Sequence, residues 1–183
     1  MPNFVYIATS LDGFIATPDG GLDWLFEIPN PDQSDYGYAE FMEKMDAVVM
    51  GRKTYEKVLI FNDWPYPVPV FVFSHSHIEI PEALKGKVEI VIGEPYKVVE
   101  ELIAQGYCNL YIDGGKLIQS FLQEDLIDEM IITRVPVLLG DGVPLFGKLQ
   151  ATLKFNLIKT ETYRSSLVKC HYARVREEPV TPW

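Results

Sequence analysis

Thiols and imidazoles are scarce in this chain, which holds two cysteines, Cys108 and Cys170, and three histidines, His75, His77 and His171. The cysteines lie too far apart for a zinc-finger spacing and neither belongs to a CxxC pair, so they read as reduced, partly buried thiols. The histidines form no HExxH pattern and no arrangement with a nucleophilic Ser or Cys, and no metal is expected. Positive charge is also short, with 16 basic against 26 acidic side chains and a net charge of −10. Such a chain repels the phosphate backbone, whereas nucleic-acid binders draw most of their affinity from Lys and Arg. An anionic membrane surface is disfavoured for the same reason. No apolar run approaches the ~20 residues of a membrane span, and the start, Met1 to Ile7, lacks the basic and apolar regions of a signal peptide. A soluble, cytoplasmic protein is expected. Missing too are GxGxxG after the first strand, GxxxxGK[ST] and GxSxG, which removes an ordinary Rossmann unit, a P-loop and a nucleophile elbow.

What is present is one domain's worth of chain, 183 residues and 48% hydrophobic, enough to bury roughly 70% of the surface the unfolded chain exposes. The excess of acid is uneven: residues 1–50 carry nine acidic side chains and one base, Lys44, while residues 151–183 sum to +3. Short apolar runs alternate with helical patterns. Strands are expected at Phe4–Ala8, Ala47–Met50, Val68–Phe73, Val88–Ile92, Leu110–Ile112 and Ile127–Thr133. Helices are expected from about Ser34 (Tyr38, Phe41, Met42 and Met45 inward, Ser34 as N-cap), from Gly51 to about Leu59, over Tyr96–Gln105, and from Gly114-Gly115 with Leu117, Ile118, Phe121 and Leu122 inward. Two long strands over about 152–163 and 167–175, joined by a tight Arg164-Ser165-Ser166 turn, close the domain at residue 176. A tail, 177–183, follows, whose Trp183 is free to dock on a partner subunit. The alternation predicts an α/β fold, a three-layer sandwich around a mostly parallel sheet with an antiparallel C-terminal hairpin.

In such a sheet ligands collect beyond the carboxyl ends of the strands, where the N-termini of the following helices favour anions. Three strand ends qualify. Gly51-Arg52-Lys53-Thr54 offers a bare backbone, two cations and a hydroxyl. Asp113-Gly114-Gly115-Lys116 again sets glycines at a helix start, and Ser74-His75 offers a hydroxyl and an imidazole. Each segment alone is also an ordinary turn.

In order, these segments form a set. Ser10-Leu11-Asp12-Gly13-Phe14-Ile15-Ala16, Val48 to Glu56 and Ile112-Asp113-Gly114-Gly115 resemble the dihydrofolate reductase superfamily. Pro136-Val137-Leu138-Leu139-Gly140-Asp141-Gly142-Val143-Pro144-Leu145-Phe146, with the SLDGxIA motif, is similar to the reductase domain of the bifunctional riboflavin-biosynthesis deaminase-reductase. The resemblance spans Phe4 to Val175. It implies NADPH over the carboxyl edge of the sheet, with Gly51, Arg52, Lys53 and Thr54 at the adenosine phosphates and Ser74 and His75 beside the 2′-phosphate. Gly114, Gly115, Lys116 and Leu117 then fall at the pyrophosphate, and Ala8 and Ile15 flank the nicotinamide. A homodimer is implied as well.

Reduction of a C=N bond also needs a proton for the nitrogen. By the resemblance the donor is a carboxyl on the helix before Gly51, near a Thr on a later strand; counting back without gaps gives Asp35, with Thr133 as the threonine. Asp32 and Asp23 remain alternatives. Asp113 stands where many dihydrofolate reductases carry glycine, as in the riboflavin-pathway branch, although no deaminase domain accompanies it. The expected activity is NADPH-dependent reduction of a pterin- or aminopyrimidine-type heterocycle. Alternatives are dihydrofolate reductase proper or an NADPH-binding sensor without turnover. Lys44 is the sole base in residues 1–50, so a substrate phosphate has no obvious counter-charge there.

Overall fold

A computed structural model describes residues 2–61, 63–163 and 166–176. Its centre is an eight-stranded sheet in the order β5-β4-β3-β6-β1-β7-β10-β9, built from β1 (Asn3–Thr9), β3 (Ala47–Gly51), β4 (Val70–Phe73), β5 (Val88–Val91), β6 (Leu110–Asp113), β7 (Glu129–Arg134), β9 (Phe155–Thr162) and β10 (Val168–Arg174). The strands from β5 across to β7 run parallel, and the β9–β10 hairpin adds antiparallel pairing at one edge. The predicted architecture is therefore the observed one. Ala47, Val48, Val49 and Met50 are all fully buried, because β3 is central and covered on both faces, the reason a parallel strand reads as an unbroken apolar run. The outer strand β9 is exposed along most of its length and carries Lys159 and Glu161, charges that blunt an open sheet edge.

Helices α4 (Pro95–Ala104) and α5 (Gly115–Gln123) cover one face, burying Leu102, Ile118 and Phe121 on Val5, Val49, Phe71 and Ile112. Helices α2 (Tyr38–Met42) and α3 (Arg52–Val58) cover the other, where Phe41, Tyr55 and Met50 share a core with Val48, Val72 and Tyr111. Among the described residues no helix is long and apolar enough to cross a membrane.

Three details depart from expectation. The helix expected from Ser34 does not begin until Tyr38, because Tyr36 and Gly37 adopt left-handed backbone angles, φ +56° and +88°, which interrupt a right-handed helix. Between the first strand and residue 34, where no element is expected, lies a one-turn helix, α1 (Asp23–Phe26), and a strand, β2 (Phe14–Ala16), pairs with β8 (Val143–Pro144) as a small second sheet. Arg164 and Ser165 of the expected hairpin turn, and the tail with Trp183, lie outside the described residues.

Candidate functional site

Strands β3 and β6 are neighbours in register, Met50 beside Asp113, so the turns that follow them open side by side. At Gly51 a Cβ would meet no protein atom within 4 Å; the space left by the missing side chain is open to a ligand. Gly114 has φ +96°, and a Cβ there would collide with the Thr54 hydroxyl, while a Cβ on Gly115 would come within 2.7 Å of Ile15 Cδ1. Both glycines thus let the β6–α5 turn close onto α3 and β2, drawing Thr54, Gly114, Gly115 and Ile15 together. Lys53 and Lys116 stand exposed at the two helix starts, next to the amide groups that favour an anion.

On the far side of this pair, the end of β4 meets α5. A cleft of about 320 Å³ lies between them, lined by Phe73, His75, Gly93, Leu117 and Ser120 among others. Arg52 is tied to the loop after β4, with Nε on Glu56 Oε1 at 2.6 Å and Nη1 donating to Ser76 Oγ at 3.1 Å. Ser74 is buried, its hydroxyl donating to the Ser76 carbonyl and accepting from the Ser76 amide. Its role is to fold the turn that presents His75 and Ser76. Ser76 escaped the sequence reading because only the Arg52 contact, 24 residues away, marks it.

The Ser10–Ala16 and Pro136–Phe146 motifs form one unit. Ser10 Oγ donates to Asp12 Oδ1 and accepts from the Phe14 amide, and Asp12 accepts from the Leu139 and Gly140 amides at 3.2 and 2.8 Å. The Ser10 hydroxyl, followed by the two amides, holds the Asp12 carboxyl below its ordinary range. Gly142 completes the junction, since a Cβ would strike the Ala16 carbonyl. The unit fixes Ile15 over Gly115.

One face of the sheet forms the floor beside these turns. Residues paired across strands share a face, as do residues two apart along one. Ala8 pairs with Thr133 and Thr133 with Lys169. Phe4 pairs with Tyr111, so Tyr6 falls beside Asp113 two residues on. The floor is therefore Asp113, Tyr6, Ala8, Thr133 and Lys169, with Ala8 and Thr133 in direct register. Thr133 is buried at 7% exposure.

Asp35 is exposed and does not have the buried setting expected of a proton donor. Its two oxygens accept from the Gly37 and Ala39 amides at 2.9 and 2.8 Å, and those bonds, Ala39 first, hold its carboxyl below the usual range. This is the setting of an ionised turn-forming carboxylate. Asp23 and Asp32 are exposed as well. Asp35→Asn keeps an acceptor for the turn and should leave turnover at the wild-type level; a fall of about a hundredfold, the scale of a lost general acid, would return that role to Asp35.

The carboxyl with the required environment is Asp113. Burial pushes it up, against hydrogen bonds from Tyr66 and the Gly114 amide. Tyr66 Oη donates to Asp113 Oδ2 at 3.1 Å, and Tyr38 and Tyr111 close around it. Nearby, the Tyr36 carbonyl accepts from Tyr6 Oη at 2.8 Å, Tyr163 Oη at 3.2 Å and Lys169 Nζ at 2.7 Å. These three donors pin the left-handed loop to the sheet, and burial raises the Tyr6 phenol to about 12.

Comparison with known proteins bears on the fold and the family. The putative riboflavin biosynthesis protein of Shewanella sp. PV-4 is 52% identical, with a TM-score of 0.92 over 96% of this chain and all of that one. The Thermotoga maritima diaminohydroxyphosphoribosylaminopyrimidine deaminase/5-amino-6-(5-phosphoribosylamino)uracil reductase is 14% identical, TM-score 0.75, covering 95% of this chain and 56% of that one. A dihydrofolate reductase of Enterococcus faecalis complexed with NADP(H) is 18% identical, TM-score 0.64, covering 94% and 96%. At these lower identities the two share the fold, a dihydrofolate-reductase-like sandwich. The RibD C-terminal domain model matches residues 4–169, and with that match over nearly the whole sheet the chain belongs to the RibD C-terminal domain family, a reductase-like family related to the riboflavin pathway.

Proposed function

We propose that the chain is an NADPH-dependent reductase of a pterin- or aminopyrimidine-type heterocycle, with Asp113 as proton donor. The observation that carries this reading is a single strand end: Asp113 faces the floor with a raised pKa, and the next residue, Gly114, begins the turn suited to a pyrophosphate. The cofactor fits the residues present. Gly51 leaves its backbone open, Arg52 is bonded to Ser76, and His75 and Leu117 line the cleft. Arg52 and Ser76 would hold the 2′-phosphate, Gly51 and Gly114-Gly115 the pyrophosphate, and Ala8 and Ile15 the nicotinamide. When bound, the cofactor supplies hydride to the carbon of a C=N bond. Asp113 in its acid form, which burial favours, donates its proton to the nitrogen, so C=N becomes CH–NH and the carboxylate is left beside the Tyr66 hydroxyl. Thr133 lies on the same floor within the substrate's reach.

Arg52 decides between cofactors, because NADH lacks the phosphate it would meet. NADPH should raise the melting temperature more than NADH does, and Arg52→Gln should abolish that difference while leaving the NADH effect in place. Equal stabilisation of the wild-type protein by both, or by neither, would remove the NADPH assignment.

A further inference from the structure

We infer that the substrate side of this site takes an uncharged aromatic heterocycle that bears carbonyl oxygens and carries no phosphate. The inference rests on the proposed reductase reading and deepens it. Three observations along the floor carry it.

The first is the wall. Tyr6, Tyr38, Tyr66 and Tyr111 surround Asp113, and the wall continues through Trp64 to Tyr55, with ring centroids 5.3 Å apart for Trp64–Tyr66 and 6.2 Å for Tyr55–Trp64. Tyr55, Tyr66 and Tyr111 are buried, and the half-buried Tyr6, Tyr38 and Trp64 in front of them offer stacking faces to a flat heterocycle.

The second is a set of buried donors without acceptors. Trp24 Nε1, Trp64 Nε1 and the Tyr55 hydroxyl have no hydrogen-bond partner among the described residues. Trp24 is 8% exposed and shares a cluster with Ala8, Tyr36 and Tyr163, at the end of the floor where the nicotinamide is placed. An indole N–H can only donate, and a buried donor left unpaired is costly. Carbonyl oxygens on a bound ring would satisfy such donors without bringing in charge.

The third is the local charge. Asp35 and Glu161 are both held ionised, Asp35 by its two amides and Glu161 chiefly by Lys169. Lys169, whose side chain is 11% exposed, is already committed: its Nζ lies 3.1 Å from Glu161 Oε2 and donates to the Tyr36 carbonyl. A dianionic phosphate entering here meets carboxylates, and the cation it would need is already neutralised in a pair. A binding site discriminates by such repulsion as much as by attraction.

The test compares matched substrates on the full chain. Initial rates of NADPH oxidation would be measured with 5-amino-6-(ribosylamino)uracil and its 5′-phosphate, and with neopterin and neopterin monophosphate. In at least one pair the unphosphorylated member should have a kcat/KM at least tenfold above that of its ester. Trp24→Phe keeps the ring and removes the donor; it should raise KM for that substrate more than it lowers kcat. The inference is overturned if the ester is used as well as or better than its parent in both pairs, if Trp24→Phe leaves KM unchanged, or if NADPH binds and no member of either pair is reduced. Absence of any NADPH-induced stabilisation is a separate result, which overturns the reductase reading itself.

Discussion

Asp113→Asn should lower turnover by about 10²- to 10⁴-fold, the usual contribution of a positioned general acid, with NADPH binding retained. Asparagine preserves the shape and still accepts from Tyr66, so the lost property is the proton. The same substitution should not destabilise the fold near neutral pH and should raise its melting temperature there. Burial raises the folded-state pKa of Asp113 above its unfolded value, so the folded protein binds the proton more tightly. Stability then falls as pH rises from the unfolded pKa through the folded one, and above that window the wild-type protein carries a disfavoured buried charge. The neutral amide of the variant carries none. Turnover of the wild-type protein should fall with rising pH through the same raised pKa, a limb absent from the residual activity of the variant. Calorimetry at two pH values and a pH–rate profile check both halves, and wild-type turnover in the variant would end the role of Asp113.

Gly114→Ala should be the most damaging small substitution on the cofactor side. Its φ of +96° is one that L side chains rarely adopt, and the added Cβ would collide with Thr54 Oγ1 and sit 3.3 Å from Thr54 Cβ. Holding a non-glycine residue in such a conformation costs about 1–3 kcal/mol, and relief requires moving either the β6–α5 turn or the start of α3. Both carry the amides placed at the pyrophosphate. Expected results are a lower denaturation midpoint and NADPH affinity reduced by more than about tenfold, with Gly51→Ala as a contrast. Gly51 has open space and no positive φ, so its substitution should weaken NADPH while sparing stability. If Gly114→Ala bound NADPH normally, the turn would not be part of the cofactor site.

The parts of this site that were readable from sequence are those fixed by neighbouring residues. Glycine at a strand-to-helix step is a local requirement, and the steps at Gly51 and Gly114 stand at the expected places because the apolar runs Ala47–Met50 and Leu110–Ile112 lead into them. The adjacency of Ala8 and Thr133 was not readable there, because it needs the β1–β7 pairing. Asp35 misled because counting back from Arg52 assumes a continuous helix, whereas Tyr36 and Gly37 turn left-handed and leave Asp35 capping a turn in solvent. Asp113 was visible as an unusual acid before two glycines, but its raised pKa comes from burial, which outweighs the opposing hydrogen bond from Tyr66, 47 residues away, and neither is written in its neighbours. Lys169 and Glu161 belong to the C-terminal hairpin, far in sequence from every motif, and only the β7–β10 register brings them to the floor. The role of Asp12 was hidden likewise, its amide partners lying 127 and 128 residues on.

The most direct measurement of the central claim is stoichiometric: NADPH oxidation by the purified chain across a panel of aminopyrimidines and pterins, dihydrofolate included, with the heterocyclic product identified by mass. The account predicts at least one heterocycle reduced by two hydrogens for each NADPH consumed, with the reaction lost in Asp113→Asn. Tight NADPH binding with no oxidation across the panel would contradict it and leave a nucleotide-binding protein without turnover.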